Sequence, residues 1–116
     1  MRKLSLEDYT FSMKNQQGIF QVVTYPFKQT LISVLTHQNL GLNGLELLEI
    51  EEVLLKIEKA GLEVILTDKD YRKMCEHFKR FRGFSNNDRP FVKRFYNCPE
   101  VPDDGKTVID NDFSKN

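Results

Sequence analysis

Apolar and polar positions alternate through Leu4 and Leu6, then Tyr9, Phe11 and Met13, the two-residue period of a half-buried strand. Asn15 to Gly18 interrupts this run with turn-forming residues, and Ile19 to Tyr25 is rich in β-branched and aromatic side chains. The two runs predict a β-hairpin with a four-residue connection. Pro26 follows, a residue tolerated in a first helical turn because its missing N–H would have no partner there. Phe27, Leu31, Val34 and Leu35 then recur at the spacing of one buried helical face.

Asn39 to Gly44 reads as a loop, with Asn43 placed to cap the next helix. In the stretch Leu45 to Ala60, Ile50, Val53, Leu54, Ile57 and Ala60 share a sector of about 120°. Leu47, Leu48 and Leu55 lie off it. The mismatch predicts a short helix at 44–49 that bends or breaks before a second at 51–60, closed by Gly61 in a left-handed cap. Val64, Ile65 and Leu66 fit either a third strand beside the hairpin or a buried connector.

Thr67 is suited to cap a helix whose first turn carries Asp68 and Asp70, where the helix dipole favours negative charge. Tyr71, Met74, Cys75, Phe78 and Phe81 supply its apolar face, and Gly83 ends it. Ser85, Asn86 and Asn87 offer caps for a last helix, with Pro90 near its start and Phe91, Val92, Phe95 and Tyr96 on its apolar side. Cys98 and Pro99 close it. The reading is an α+β fold, an N-terminal β-hairpin packed on four or five short helices, in one globular domain over residues 1–101. Residues 102–116 read as an acidic, flexible tail with little apolar content.

Charge changes the picture. The chain is formally neutral, yet residues 1–45 sum to +2, 46–63 to −4, 64–94 to +5 and 95–116 to −3. The basic stretch holds Arg72, Lys79, Arg80, Arg82, Arg89, Lys93 and Arg94 among phenylalanines, and calls for an acidic counterpart in the chain itself, in a partner protein or in a nucleic acid. Phe78, Phe81, Phe91 and Phe95 are needed for the core, so only Phe84 and Tyr96 are placed to stack on a base. The tail, with Asp103, Asp104, Asp110 and Asp112, is expected to cover that block, gripped by Val108, Ile109 and Phe113.

Candidate chemistry is sparse. Cys75 and His77, two apart on a helix, project about 200° from each other, one as a buried thiol and the other as an exposed imidazole, and share no site. Cys75, His77, Cys98 and His37 lack the paired spacing of structural zinc, so neither a metal nor another cofactor is expected. The acids Glu46, Glu49, Glu51, Glu52 and Glu58 read as a solvated helix face, with Glu52 and Lys56 spaced for a surface ion pair. Leu40 to Leu45 lacks the glycine density and lysine of a phosphate loop. Two cysteines are too few for a disulfide framework. No apolar run reaches membrane length, and a soluble, cytoplasmic protein without a signal peptide is expected.

The order L-N-G-L-E-L-L, K-I-E-K-A-G, E-V-I-L-T-D-K-D-Y, F-R-G-F-S-N-N-D and V-K-R-F between Leu42 and Val101 resembles small proteins of unknown role encoded in bacteriophage genomes. Gly44, Asp70, Tyr71, Gly83, Asp88 and Arg94 carry the likeness, which covers about half the chain and contains no catalytic motif. It implies a phage or mobile-element accessory or structural protein, in the host cytoplasm or the virion.

The function expected is therefore non-enzymatic, a protein that binds copies of itself or a virion component. A homo-oligomer is expected, with Leu55 as apolar anchor flanked by Glu51 and Glu58. The alternative is a nucleic-acid-binding module using the basic 72–94 block.

Overall fold

The computed structural model describes residues 1–102; the segment 103–116, with the tail contacts and self-masking expected of it, lies outside the described residues. The fold is α+β, with the element order β1 (Arg2–Ser5), β2 (Tyr9–Lys14), β3 (Phe20–Tyr25), α1 (Phe27–Leu35), α2 (Gly44–Lys59), β4 (Glu63–Leu66), α3 (Asp68–Arg80) and α4 (Arg89–Tyr96). Short 3-10 turns at Gln38–Leu40 and Asn86–Asp88 precede α2 and α4.

The strands form two separate antiparallel pairs. β2 and β3 make the hairpin, in a register that sets Tyr9 against Tyr25 and Lys14 against Phe20. The expected first strand, Leu4 to Met13, is in fact two strands: Leu6, Glu7 and Asp8 break the alternation, and β1 turns away from the hairpin. β4 is a strand but does not extend the hairpin. It pairs with β1, Leu4 opposite Val64, so that Leu4, Val64 and Leu66 bury one face of this second sheet. Pro99 to Val101 lies along the other edge of β1, with the Lys3 N–H donating to the Pro99 carbonyl at 3.0 Å and the Val101 N–H to the Met1 carbonyl at 2.8 Å.

Helix α2 is continuous, which corrects the expected break between residues 49 and 51. Its sequence holds neither proline nor glycine past Gly44, and its first turn is locked by a capping box. The Asn43 carboxamide accepts from the Glu46 N–H at 2.8 Å, and the Glu46 carboxylate accepts from the Asn43 N–H at 3.1 Å. Breaking the backbone ladder costs more than leaving leucines in water, so the helix runs on unbroken and Leu47, Leu48 and Leu55 stay exposed. The expected Gly61 cap is also corrected. Ala60 takes an extended conformation, and Gly61 is absent from the left-handed glycines of the described residues. The Lys28 ammonium of α1 instead donates to the Glu58 and Ala60 carbonyls at 3.1 and 2.7 Å, closing the end of the helix from a neighbouring element.

Thr67 caps α3 as expected, again in a box: its hydroxyl accepts from the Asp70 N–H at 3.0 Å and Asp70 accepts from the Thr67 N–H at 3.1 Å. The buried arc of α3 runs through Asp70, Met74, His77 and Phe78, which reverses the expected assignment of Cys75 and His77. His77 is the buried group, its Nδ1–H donating to the Leu35 carbonyl at 2.9 Å, while Cys75 is half-exposed. The polar ring turns inward because a helix-end carbonyl of α1 lies there to receive it.

Helices α1, α2 and α3 touch one another pairwise, and α4 packs on β1. The core between them is aromatic. The Phe78 ring stacks on Phe95 at 4.0 Å between centroids and on Phe91 at 5.7 Å, and Phe91 lies 4.9 Å from Phe27 of α1. Phe27, Phe91 and Phe95 are fully buried. Phe91→Ala removes a ring at the junction of α1, α3 and α4, and is expected to destabilise the protein by about 3–5 kcal/mol. Urea unfolding followed by circular dichroism reads the loss directly; a change under about 1 kcal/mol would show that the cluster is not the keystone of the core.

Candidate interaction surface

The seven basic residues fall into two groups. Arg80 and Arg94 are tied into the body of the protein. The Arg80 guanidinium donates to the Glu46 carboxylate at 2.9 Å and to the Gly41 carbonyl at 3.3 Å, joining the end of α3 to the start of α2. Arg94 donates to the Ser5 and Glu7 carbonyls at 3.4 and 2.5 Å, with its guanidinium 4.3 Å from the centre of the Phe27 ring and 5.5 Å from that of Tyr9. A cation so placed closes the turn between β1 and β2 and covers an aromatic face.

Arg72, Lys79, Arg82, Arg89 and Lys93 are exposed, and among the described residues none makes a side-chain hydrogen bond or ion pair. The basic segment thus finds part of its acidic counterpart in α2 of the same chain and leaves the rest to solvent. Phe84 and Tyr96, expected to be free for stacking, both pack on Phe78, at 5.9 Å each. Tyr96 keeps an exposed edge.

Lys56 does not pair with Glu52. Its ammonium reaches the Asp70 carboxylate at 2.6 Å, linking α2 to the cap of α3. Burial works against ionisation of Asp70, but Lys56 and the Thr67 N–H and hydroxyl outweigh it and hold the carboxyl below its ordinary range. The backbone of Asn43 and the Arg80 guanidinium likewise lower Glu46. Burial, with the neighbouring Asp88 carboxylate, pushes the Tyr25 hydroxyl up, and burial beside Cys75 and Cys98 pushes Tyr71 up to about 12. Desolvation raises both thiols as well.

The solvent face of α2 carries the largest unexplained feature. Leu48 and Leu55 stand two turns apart on it, 63% and 47% exposed, with Leu45 and Leu47 beside them toward the N-terminus. Glu51, Glu52 and Glu58 rim this ridge, all exposed and without ion pairs among the described residues. The sequence flagged Leu47, Leu48 and Leu55 as misfits in the apolar sector, although it read the misfit as a bend or break. A second apolar surface escaped it. On the hairpin, Phe20 and Val22 are 71% and 75% exposed, and Ile19 and Met13 are exposed near them. The available signal was that Ile19, Phe20, Val22 and Val23 alternate with nothing, so that both faces of β3 are apolar while one core covers only one of them.

A concavity of about 330 Å³ lies between α1 and the loop after α3, lined by Gln29, Thr30, Ser33, Phe81, Phe84 and Asp88. Asp88 is already engaged there, accepting from the Tyr25 hydroxyl and the Ser85 N–H. Among the described residues no group of three His, Cys, Asp or Glu side chains is placed to hold a metal ion, and no helix is long and apolar enough to cross a membrane.

Compared with known proteins, the chain matches no family model, no curated protein and no solved structure.

Because folding lowers the Asp70 pKa, its contribution is complete above the unfolded carboxyl value of about 3.9 and is lost as pH falls through the folded value. Asp70→Ala removes both cap and ion pair and is expected to cost about 1–2 kcal/mol at neutral pH, the difference from wild type shrinking below about pH 4. Urea midpoints measured across that range check it. A difference that stays constant with pH would mean that the Asp70 charge contributes nothing.

Proposed function

We propose that this protein is a non-enzymatic binding protein that self-associates, or docks on a larger assembly, through the leucine ridge of α2. The observation that carries the reading is the ridge itself. Four leucines stand in water on a helix that is capped, continuous and otherwise packed, and apolar side chains grouped in this way mark interaction sites on soluble proteins. Leu55 sits between Glu51 and Glu58, so the anchor has an apolar centre and an acidic rim, as protein interfaces do. The resemblance to small phage-encoded proteins fits an accessory or structural part of a phage or mobile element, acting in the host cytoplasm or the virion.

Leu55→Glu is expected to weaken assembly by about 30-fold or more, the loss of one hot-spot side chain, without changing the far-UV spectrum. Light scattering against the wild-type oligomer measures it. An unchanged mass would remove Leu55 as the anchor.

A second reading is supported by the exposure of Arg72, Lys79, Arg82, Arg89 and Lys93, none of which forms an ion pair among the described residues. These suit the phosphates of a nucleic acid, whereas Arg80 and Arg94 are engaged internally. If all five contact phosphate, log affinity should fall against log salt with a slope of about −4.5 on duplex DNA. Replacing Arg82 and Lys93 by alanine should lower that slope by roughly two. Absence of binding to duplex and single strands at low salt would dispose of this reading.

A further inference from the structure

Beyond the two tyrosines at its base, the hairpin is held by little. The Tyr9 and Tyr25 rings stack at 4.6 Å, Tyr25 lies 5.8 Å from Phe91, and the Tyr9 hydroxyl donates to the Asn87 carbonyl at 3.2 Å. These contacts fix one face of the hairpin, the face of Tyr9, Phe11 and Tyr25, against the body. By the two-residue period of a strand, Thr10, Ser12, Lys14, Phe20, Val22 and Thr24 share the opposite face. No described element covers that face, and Phe20 and Val22 are among the most exposed apolar residues of the chain. A two-stranded hairpin is marginal in water without a third strand or a helix against it. The arm therefore lacks a helix, and the ridge of α2 lacks a cover.

We infer that each supplies the other between copies of this chain: the Phe20/Val22 face of one hairpin docks on the Leu48/Leu55 ridge of a second copy's α2. This rests on the proposed self-association and names its second surface. Charge disfavours the simpler pairing of ridge with ridge, which would bring Glu51, Glu52 and Glu58 toward their own copies with only Lys59 on that face to offset them, Lys56 being drawn to Asp70. The hairpin from Tyr9 to Tyr25 carries no acid and a single charge, Lys14, which lies on the exposed face with its ammonium 5.9 Å from the centre of the Phe20 ring. Lysine beside phenylalanine meets glutamate beside leucine.

The dimensions agree as well. Leu48 and Leu55 lie about 10 Å apart along the helix axis, and Phe20 to Val22 spans about 7 Å of strand, which Thr24 continues on the same face. A helix over the open face of a sheet is also the standard way of closing such a layer. The contact is heterologous, so it generates a ring where the rotation closes and a filament where it does not.

Two double variants test this together. Phe20→Ser with Val22→Thr disables the arm, and Leu48→Glu with Leu55→Glu disables the ridge; circular dichroism establishes that each is folded. Each variant alone should be monomeric by sedimentation equilibrium, and an equal mixture should recover a heterodimer, because one intact arm then faces one intact ridge. Lys14→Glu, a surface exchange that leaves the apolar groups in place, should weaken self-association about tenfold, and Glu51→Lys in the same chain should restore it.

If the ridge variant is monomeric while the arm variant keeps the wild-type mass, or if the mixture stays monomeric, the arm is not the partner and the ridge self-associates otherwise. If the wild type itself is monomeric at all accessible concentrations, the self-association reading falls with it.

Discussion

The stack of Phe78 on Phe95 is the contact on which the rest of the structure depends. At 4.0 Å between centroids it fixes α4 to α3, and through Phe91 it reaches Phe27 of α1 and Tyr25 at the root of the hairpin. A chain of this length has room for one core, and phenylalanine fills it with much apolar area for few residues. Those rings hold α1, α3 and α4 against one another. The face of α2 that meets this core is the one with Ile50, Val53 and Ile57, and its leucines are left on the other side.

Polar side chains then close what the core leaves open, several of them cations aimed at carbonyls. Lys28 ends α2, Arg94 binds the turn between β1 and β2, and Arg80 ties α3 to the loop before α2. Lys73 reaches the Glu49 carbonyl at 3.4 Å. This is why the basic stretch of the sequence does not translate into one basic surface. Part of its charge is structural, serving orphaned carbonyls and the acids of α2, and only the remainder is left exposed.

The unsatisfied features of the molecule are apolar and lie apart. The ridge on α2 and the outer face of the hairpin have no described contact with each other inside one chain, and each has the chemistry that the other lacks. A protein with a single small core cannot cover both faces of every amphipathic element. What it leaves uncovered is where association gains most, since burial there contributes roughly 25 cal/mol for each Å² removed from water.

The sequence by itself determined most of the elements and the caps that open the two longest helices. The boxes at Asn43 and Thr67, the helix between Asp68 and Arg80, Pro90 in the first turn of α4 and the turn at Asn15 to Gly18 are local matters, set by side chains reaching backbone three or four residues away. The misfit of Leu48 and Leu55 in the apolar sector was legible on the same terms, as was the sorting of charge. Tertiary structure decided the pairings. That β4 joins β1 and not the hairpin, that Lys56 reaches Asp70 and not Glu52, that His77 turns inward and that Lys28 does the work expected of Gly61 all depend on residues 14 to 64 positions away in the chain. Periodicity carries no such information, because it describes one element at a time, whereas a long-range partner is chosen by which surfaces the shared core brings together.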